Sequence, residues 1–333
     1  MIMKKSLIYN NKNITIPSSL NIFLAIGSIL ALMLLLYTTA QTESWWLKIV
    51  CMILFAYTGN TTFSLLHEAV HSNFHHNRKV NYIFGNICAA VFPTAFSFQK
   101  RCHLNHHRNN RTQYELFEMY DDRDNKLVKN ITLYGVLTGV YWAVPFIGSM
   151  WLLLNPKSLL NSSFSGKENY EVGRMGGASM LRSFDNLSIK EIRRMRLEVL
   201  TTLIFQILMF FTLNLTLIAY FLCYCSFAVT WSALQYADHA YSVRDIRNGA
   251  WNLKVHPITK AFFLNYHDHL AHHQHPNVPW IHLPKFVDPE KERPEFLTIY
   301  LKMWRGLVKM DQKEPEPIDS ELDQLIEREN FHT

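Results

Sequence analysis

A chain of 333 residues is long enough for two or three soluble domains, or for one membrane protein with a polar cap. Its formal charge of +6 is too modest and too dispersed to mark a nucleic-acid partner, so none is expected. A mean hydropathy of −0.03 resembles that of a soluble protein, but it averages over strongly segregated sequence. Uncharged runs cover 22–39, 49–66, 131–154 and 199–234, more than a soluble core can bury. The expectation is an all-α, multi-pass integral membrane protein with about four transmembrane helices and a cytosolic helical cap.

Taken in chain order, Lys4, Lys5 and Lys12 precede the first run and place the N-terminus in the cytoplasm by the positive-inside rule. The run 22–39 starts late and lacks a convincing cleavage site, so it reads as a retained span. A short link with Trp45 and Trp46, an interfacial anchor, leads to a returning span at 49–66. His67 follows at once, at the cytoplasmic mouth of that helix. The stretch 82–98 is short and broken by Pro93, and is expected to dip into the interface without crossing. Residues 131–154, interrupted at Pro145, are expected to form a re-entrant or in-plane pair. As one helix, 199–234 would run about 54 Å, far beyond a bilayer's needs, so it is expected to split into spans 199–216 and 217–236 turning near Asn214. A rival topology lets 131–154 and 199–234 cross once each. Between them, the loop 155–198 carries eight Lys/Arg against five Asp/Glu and should stay inside. Residues 1–285 form one membrane domain in this reading, and 286–333, amphipathic and then acidic, a cytosolic tail. Cys51, Cys88, Cys102, Cys223 and Cys225 show no C-x-x-C spacing and read as small apolar residues.

Histidine carries the chemistry. "HEAVH" places His67 and His71 at i, i+4; "HLNHH" offers His103, His106 and His107; "HLAHH" offers His269, His272 and His273. Spacings of three and four put side chains on one helix face, where two or three imidazoles can converge on a first-row metal. Eight such ligands are too many for one ion and suit two. His267 and His275 fall off that face, and Pro276 disfavours continuing the helix, so both are expected to be hydrogen-bonding or surface residues. His75, His76, His256, His282 and His332 are read as ordinary.

"HEAVH", "HLNHH" and "NYHDHLAHHQHPNVPW" resemble the three histidine boxes of the membrane fatty acid desaturase and hydroxylase superfamily, over roughly residues 50–285. The resemblance implies two non-haem iron ions held by imidazoles, which activate O2 to remove hydrogen from an unactivated C–H bond. It also implies a further histidine between the second and third boxes, for which His239 in "QYADHAYSVRD" is the candidate, making nine ligands. Glu68, Asp238 and Asp268 each adjoin a candidate ligand and are expected to orient it. Asn265, one turn before His269, could place a metal-bound water, since the superfamily often has an asparagine there. Lys100, Arg101, Arg108 and Arg111 could steer an acyl headgroup or an acidic donor, or merely mark a membrane flank.

The leading function is an O2-dependent fatty acyl desaturase with its site on the cytoplasmic face. Two electrons must come from a separate ferredoxin, rubredoxin or cytochrome b5, because the chain shows no haem, flavin or ferredoxin motif. Hydroxylases, carotenoid oxygenases and a terminal-alkene-forming fatty acid decarboxylase resemble the same scaffold. From another class, "HEAVH" satisfies the HExxH pattern of a membrane zinc protease with Glu68 as general base, but this leaves both HxxHH boxes idle. A non-catalytic metal carrier would call for polar ligands inside the spans, where they are scarce.

Overall fold

The computed structural model describes residues 14–159, 179–313 and 315. Four helices are long and apolar enough to cross a membrane: α1 (Ser18–Gln41), α2 (Trp45–Val70), α7 (Ile189–Thr212) and α8 (Leu217–Ala237). Between α2 and α7 lie two sharply bent pairs. α3 (Arg78–Val91) meets α4 (Phe96–Asn109) at 92°, and α5 (Lys126–Leu137) meets the stretch containing α6 (Ala143–Leu154) at 90°. The short helices α9 (Pro257–Phe262), α10 (His269–Gln274) and α11 (Phe296–Met303) follow. A two-residue parallel pairing joins β1 (Met119–Tyr120) to β2 (Val308–Lys309). The chain is thus an all-α membrane protein with four candidate spans.

Packing divides each span into a lipid side and a protein side. On α1 the buried residues Asn21, Ala25, Ser28, Leu32, Leu36 and Thr39 recur every three or four positions, one stripe of a helix. Phe23, Leu30 and Leu34 on the other face are exposed, as are Phe211 on α7 and Phe221 on α8. Apolar surface on that scale is stable only against lipid. Hydrogen bonds from Thr62 Oγ1 to Ser28 Oγ (3.0 Å) and from Asn60 Nδ2 to Thr230 Oγ1 (3.1 Å) tie α2 to α1 and α8 where water cannot compete. Gly59 lets α2 approach α8 closely, since a Cβ there would sit 2.6 Å from the Phe227 ring. Along α2 every residue from Thr58 to Val70 is buried. Its C-terminal end therefore plunges into the cap, carrying the first histidines with it.

The helices outgrow the uncharged windows, and in places differ from them. The last two candidate spans, α7 and α8, are joined by a short turn with Asn214 at φ 47°. However, α7 stops at Thr212 instead of 216, and it starts ten residues before the apolar run. Ser188 fixes that start with a capping box: its Oγ accepts from the Glu191 N–H (3.2 Å), and Glu191 accepts from the Ser188 N–H (2.9 Å). The break in 131–154 lies at Thr138–Gly139, not at Pro145. Gly139 has φ +88°, and a Cβ there would lie 2.8 Å from the Val229 backbone N, so only glycine fits. Pro145 sits in the first turn of α6, where its missing N–H is no loss. Nor is residue 286 where a tail begins. α11 packs on α8 and α5, with Met303 and Ile299 buried in the main core, and β2 pairs with β1. Ile299 and Met303, at i, i+4 on one face of α11, anchor the chain to the body at least this far; the acidic stretch beyond 315 lies outside the described residues. All five cysteines are free, and Cys51, Cys88 and Cys223 are buried.

Candidate metal centre

Each histidine box is delivered by a local feature of the fold. His67 occupies the last turn of α2 and His71 is its C-terminal cap. Ser72 then adopts φ 60°, turning the chain away, so His75 and His76 leave the helix face and stack on each other outside. His103, His106 and His107 lie on α4, and His269, His272 and His273 on α10. His239 sits in the turn just after α8, where its Nδ1 lies 2.8 Å from the Gly249 carbonyl. That contact fixes Nδ1 as the donor and leaves Nε2 with a free lone pair.

These side chains gather into two groups, all buried except the half-buried His106. One comprises His67, His71, His103 and His272, the other His106, His239, His269 and His273; within each, the nitrogens lie within 4.8 Å of one another. His107 joins the first, its Nε2 3.0 Å from His103 Nε2 and 2.9 Å from His272 Nε2. His71 and His103 Nε2 are 2.8 Å apart, and His269 and His273 Nε2 are 3.2 Å apart. The groups abut, with the His107 and His273 rings 4.3 Å apart.

The donor set suits a pair of metal ions. Two nitrogens bound to one ion at about 2.1 Å lie roughly 3.0 Å apart at a right angle, close to the 2.8–3.2 Å that separate the neighbouring Nε2 atoms here. His67 Nε2 and His239 Nε2 are buried without a protein partner. Burial, reinforced by neighbouring imidazoles, holds His71, His239, His269, His272 and His273 well below the usual histidine range. All five are therefore neutral at pH 7, the form that donates a lone pair.

Around the rings, the residues named from sequence divide. Asp238 is fully buried and faces two histidines, with Oδ1 3.7 Å from His239 Nε2 and Oδ2 3.6 Å from His269 Nδ1. Burial pushes its carboxyl well above the usual range, and neither oxygen has a hydrogen-bond partner. Asp268 turns away. It pairs with Arg293 (2.7 Å) and lies 3.6 Å from His267, and its carboxylate makes no ion pair with any of the nine histidines. Residues 265–267 are a turn and Asp268 bridges to Asn252 just ahead of the helix, so adjacency in sequence does not carry Asp268 or Asn265 onto the face of α10. Asn265, at φ 58°, donates to the Trp280 carbonyl (3.1 Å). Glu68 accepts from the Trp280 N–H (3.1 Å) and shares a small cavity with His67, His269 and His272. His267 is buried rather than superficial, and burial pushes it down to about 3. His275 is partly exposed against Phe286, His256 caps α9, and His282 meets the Thr15 carbonyl. His332 lies outside the described residues.

Two orienting contacts were not legible in the sequence. Glu115 Oε2 lies 3.5 Å from His106 Nδ1, and the Gly249 carbonyl holds His239. Glu115 comes from a short 3-10 turn after α4, and no spacing rule links it to the box; a backbone carbonyl gives no sequence signal at all. Nor do the basic residues form a steering patch as a set. Arg111 is completely buried, bonded to Glu118 (2.8 Å) and the Ser242 carbonyl (3.1 Å), and Arg101 binds Glu191 (3.0 Å) and two backbone carbonyls. Both hold the cap together.

Beside the histidines lies a cavity of about 70 Å³, lined by His103, His106 and His269 and by Phe117, Val136 and Trp231 among others. Tyr266 also lines it, its ring 5.0 Å from those of both His67 and His269. The imidazole-rich centre thus faces a pocket lined by both aromatic and polar side chains. No curated protein matches the sequence. The family model for fatty acid desaturases matches residues 43–306, which takes in every helix from α2 to α11 and all nine histidines, and the chain therefore belongs to the fatty acid desaturase family.

Proposed function

We propose that the protein is an O2-dependent desaturase of a long acyl or lipid chain. Two iron ions would be held by His67, His71, His103, His107 and His272 on one side and by His106, His239, His269 and His273 on the other. The observation that carries this reading is the pair of histidine groups abutting one another beside a cavity. When bound, the metal pair would supply O2 activation and hydrogen abstraction. Overall, one CH2–CH2 unit, O2, two electrons and two protons become one CH=CH unit and two waters. The electrons would come from a separate ferredoxin, rubredoxin or cytochrome b5.

The chain's own residues bind, orient and exclude water. Asp238 and Glu115 would hold the outer nitrogens of His269 and His106, and the Gly249 carbonyl that of His239. Phe117, Val136 and Trp231 would keep bulk water from the reacting carbon. Lys4, Lys5 and Lys12, with the basic loop 155–198, favour placing the site on the cytoplasmic face. Glu68 is held by the Trp280 N–H, and His67 and His71 join three further histidines; that arrangement disfavours the zinc protease, which needs three ligands and an open position.

Expression in a host lacking the activity, followed by mass spectrometry of its lipids and volatile hydrocarbons, tests the reading. A new O2-dependent double bond is expected. An alcohol, a ketone or a shortened terminal alkene would move the assignment to another oxidation on this scaffold, and O2-independent peptide cleavage would overturn it.

A further inference from the structure

The cavity beside the histidines is not lined as a plain hydrocarbon channel would be. Trp231 and Gln235 stand at i, i+4 on α8, one turn apart on the same face, and both line it. Trp231 Nε1 and Gln235 Nε2 are buried and have no partner within the protein. Gln235 is held by its other end, where Oε1 accepts from Tyr266 Oη (2.9 Å), so its amide nitrogen is the free terminus. Across the cavity, Gln99 on α4 is 8% exposed, and its Oε1 is likewise unpartnered. A buried donor or acceptor left unmet costs about 1–3 kcal/mol, and a methylene chain could meet none of these three.

From these residues we infer that the substrate carries a neutral oxygen function, a hydroxyl or a carbonyl, close to the carbon that reacts. This inference rests on the reading of the cavity as the side from which substrate reaches the histidines. The two N–H groups of α8 donate to the oxygen, and a hydroxyl proton is accepted by Gln99. The charge of the group follows from the lining. Glu115 is the ionisable acid in the wall, and no lysine or arginine is among the residues that form it, so a carboxylate would meet repulsion and no cation. A free acid presenting its carboxylate to the centre is thereby disfavoured. Specificity of this kind is sharp, because a site built to hydrogen-bond a substrate atom rejects the analogue that lacks it.

Binding of four eight-carbon probes (octane, 1-octanol, 2-octanone and octanoate) to the full-length protein in nanodiscs, each referenced to empty nanodiscs, tests the inference without turnover. 1-Octanol and 2-octanone should bind at least about tenfold tighter than octane, with octanoate weakest, since one hydrogen bond to a buried group corresponds to about that factor. Trp231→Phe and Gln235→Leu should each cut that preference about fivefold while leaving octane binding in place, which also reports that the variants fold. Gln99→Leu should weaken 1-octanol alone. Equal binding of octane and the two oxygenated probes, a preference that survives both α8 substitutions, or tightest binding of octanoate would overturn the inference. Iron content and product formation are separate readouts, so failure of the desaturase reading would be seen independently.

Discussion

The two histidine groups share a ligand type but differ in what surrounds them. Among the described residues, no carboxylate lies within ion-pair distance of His67, His71, His103, His107 or His272. The second group is flanked by Asp238 at 3.6 and 3.7 Å and by Glu115 at 3.5 Å. A cation in the first group would rely on the imidazole lone pairs, whereas one in the second would also draw on rings oriented by two carboxyl groups. The difference teaches that nearly identical sequence boxes can build unequal sites, and that the inequality comes from residues outside the boxes. The second site should hold its ion more tightly and the first should lose it sooner.

Substitutions can break that comparison. The largest effect is expected from His107→Ala or His272→Ala, which remove a nitrogen from the group with nothing else to offer. Metal in the first site and turnover should fall together by at least about 10²-fold while the protein still inserts, measured by metal analysis and product formation. Asp238→Asn should weaken metal binding at the second site by about 10–100-fold, the usual cost of losing an orienting carboxylate, and bring the two affinities closer in a titration. Glu115→Gln touches one ring at 3.5 Å and should cost about tenfold at the same site. His275→Ala, outside both groups, should change activity less than about twofold.

Acid should sharpen the comparison in another way. His239, His269, His272 and His273 are held neutral by burial, so their folded pKa values lie below the ordinary 6.5. Below pH 6.5 the unfolded chain binds protons that the folded chain refuses, so the stability these groups contribute is complete above 6.5 and drains away as pH falls. The loss is at most about 1.4 kcal/mol per histidine per pH unit. Thermal unfolding of the metal-free protein should move to lower temperature between pH 7 and pH 5. A melting point unchanged over that range would contradict neutral burial.

Much of the fold was legible because lipid is a demanding solvent. Uncharged runs near 18 residues announced the spans, and the length of 199–234 forced a turn near Asn214. Boundaries were harder to read. α7 begins in "IKEIRRMRLE", a charged stretch held in helix by a cap and by packing on α3, α4 and α6, none of which hydropathy registers. The break at Gly139 depends on how closely Val229 approaches, a tertiary fact, while Pro145 drew attention by its residue type alone. In the site, helical spacing placed His269, His272 and His273 on one helix, α10, but it gave no sign that His272 joins one group while His269 and His273 join the other. It could not place Asp268, because the helix has not yet begun, or Glu115, which the fold brings in from a loop.

Counting metal ions per chain tests the central claim most directly. The full-length protein, reconstituted anaerobically with iron and analysed by elemental mass spectrometry, should bind two iron ions, the His272→Ala variant losing the first before the second. A single zinc ion, or no metal retained by the wild type, would contradict the account.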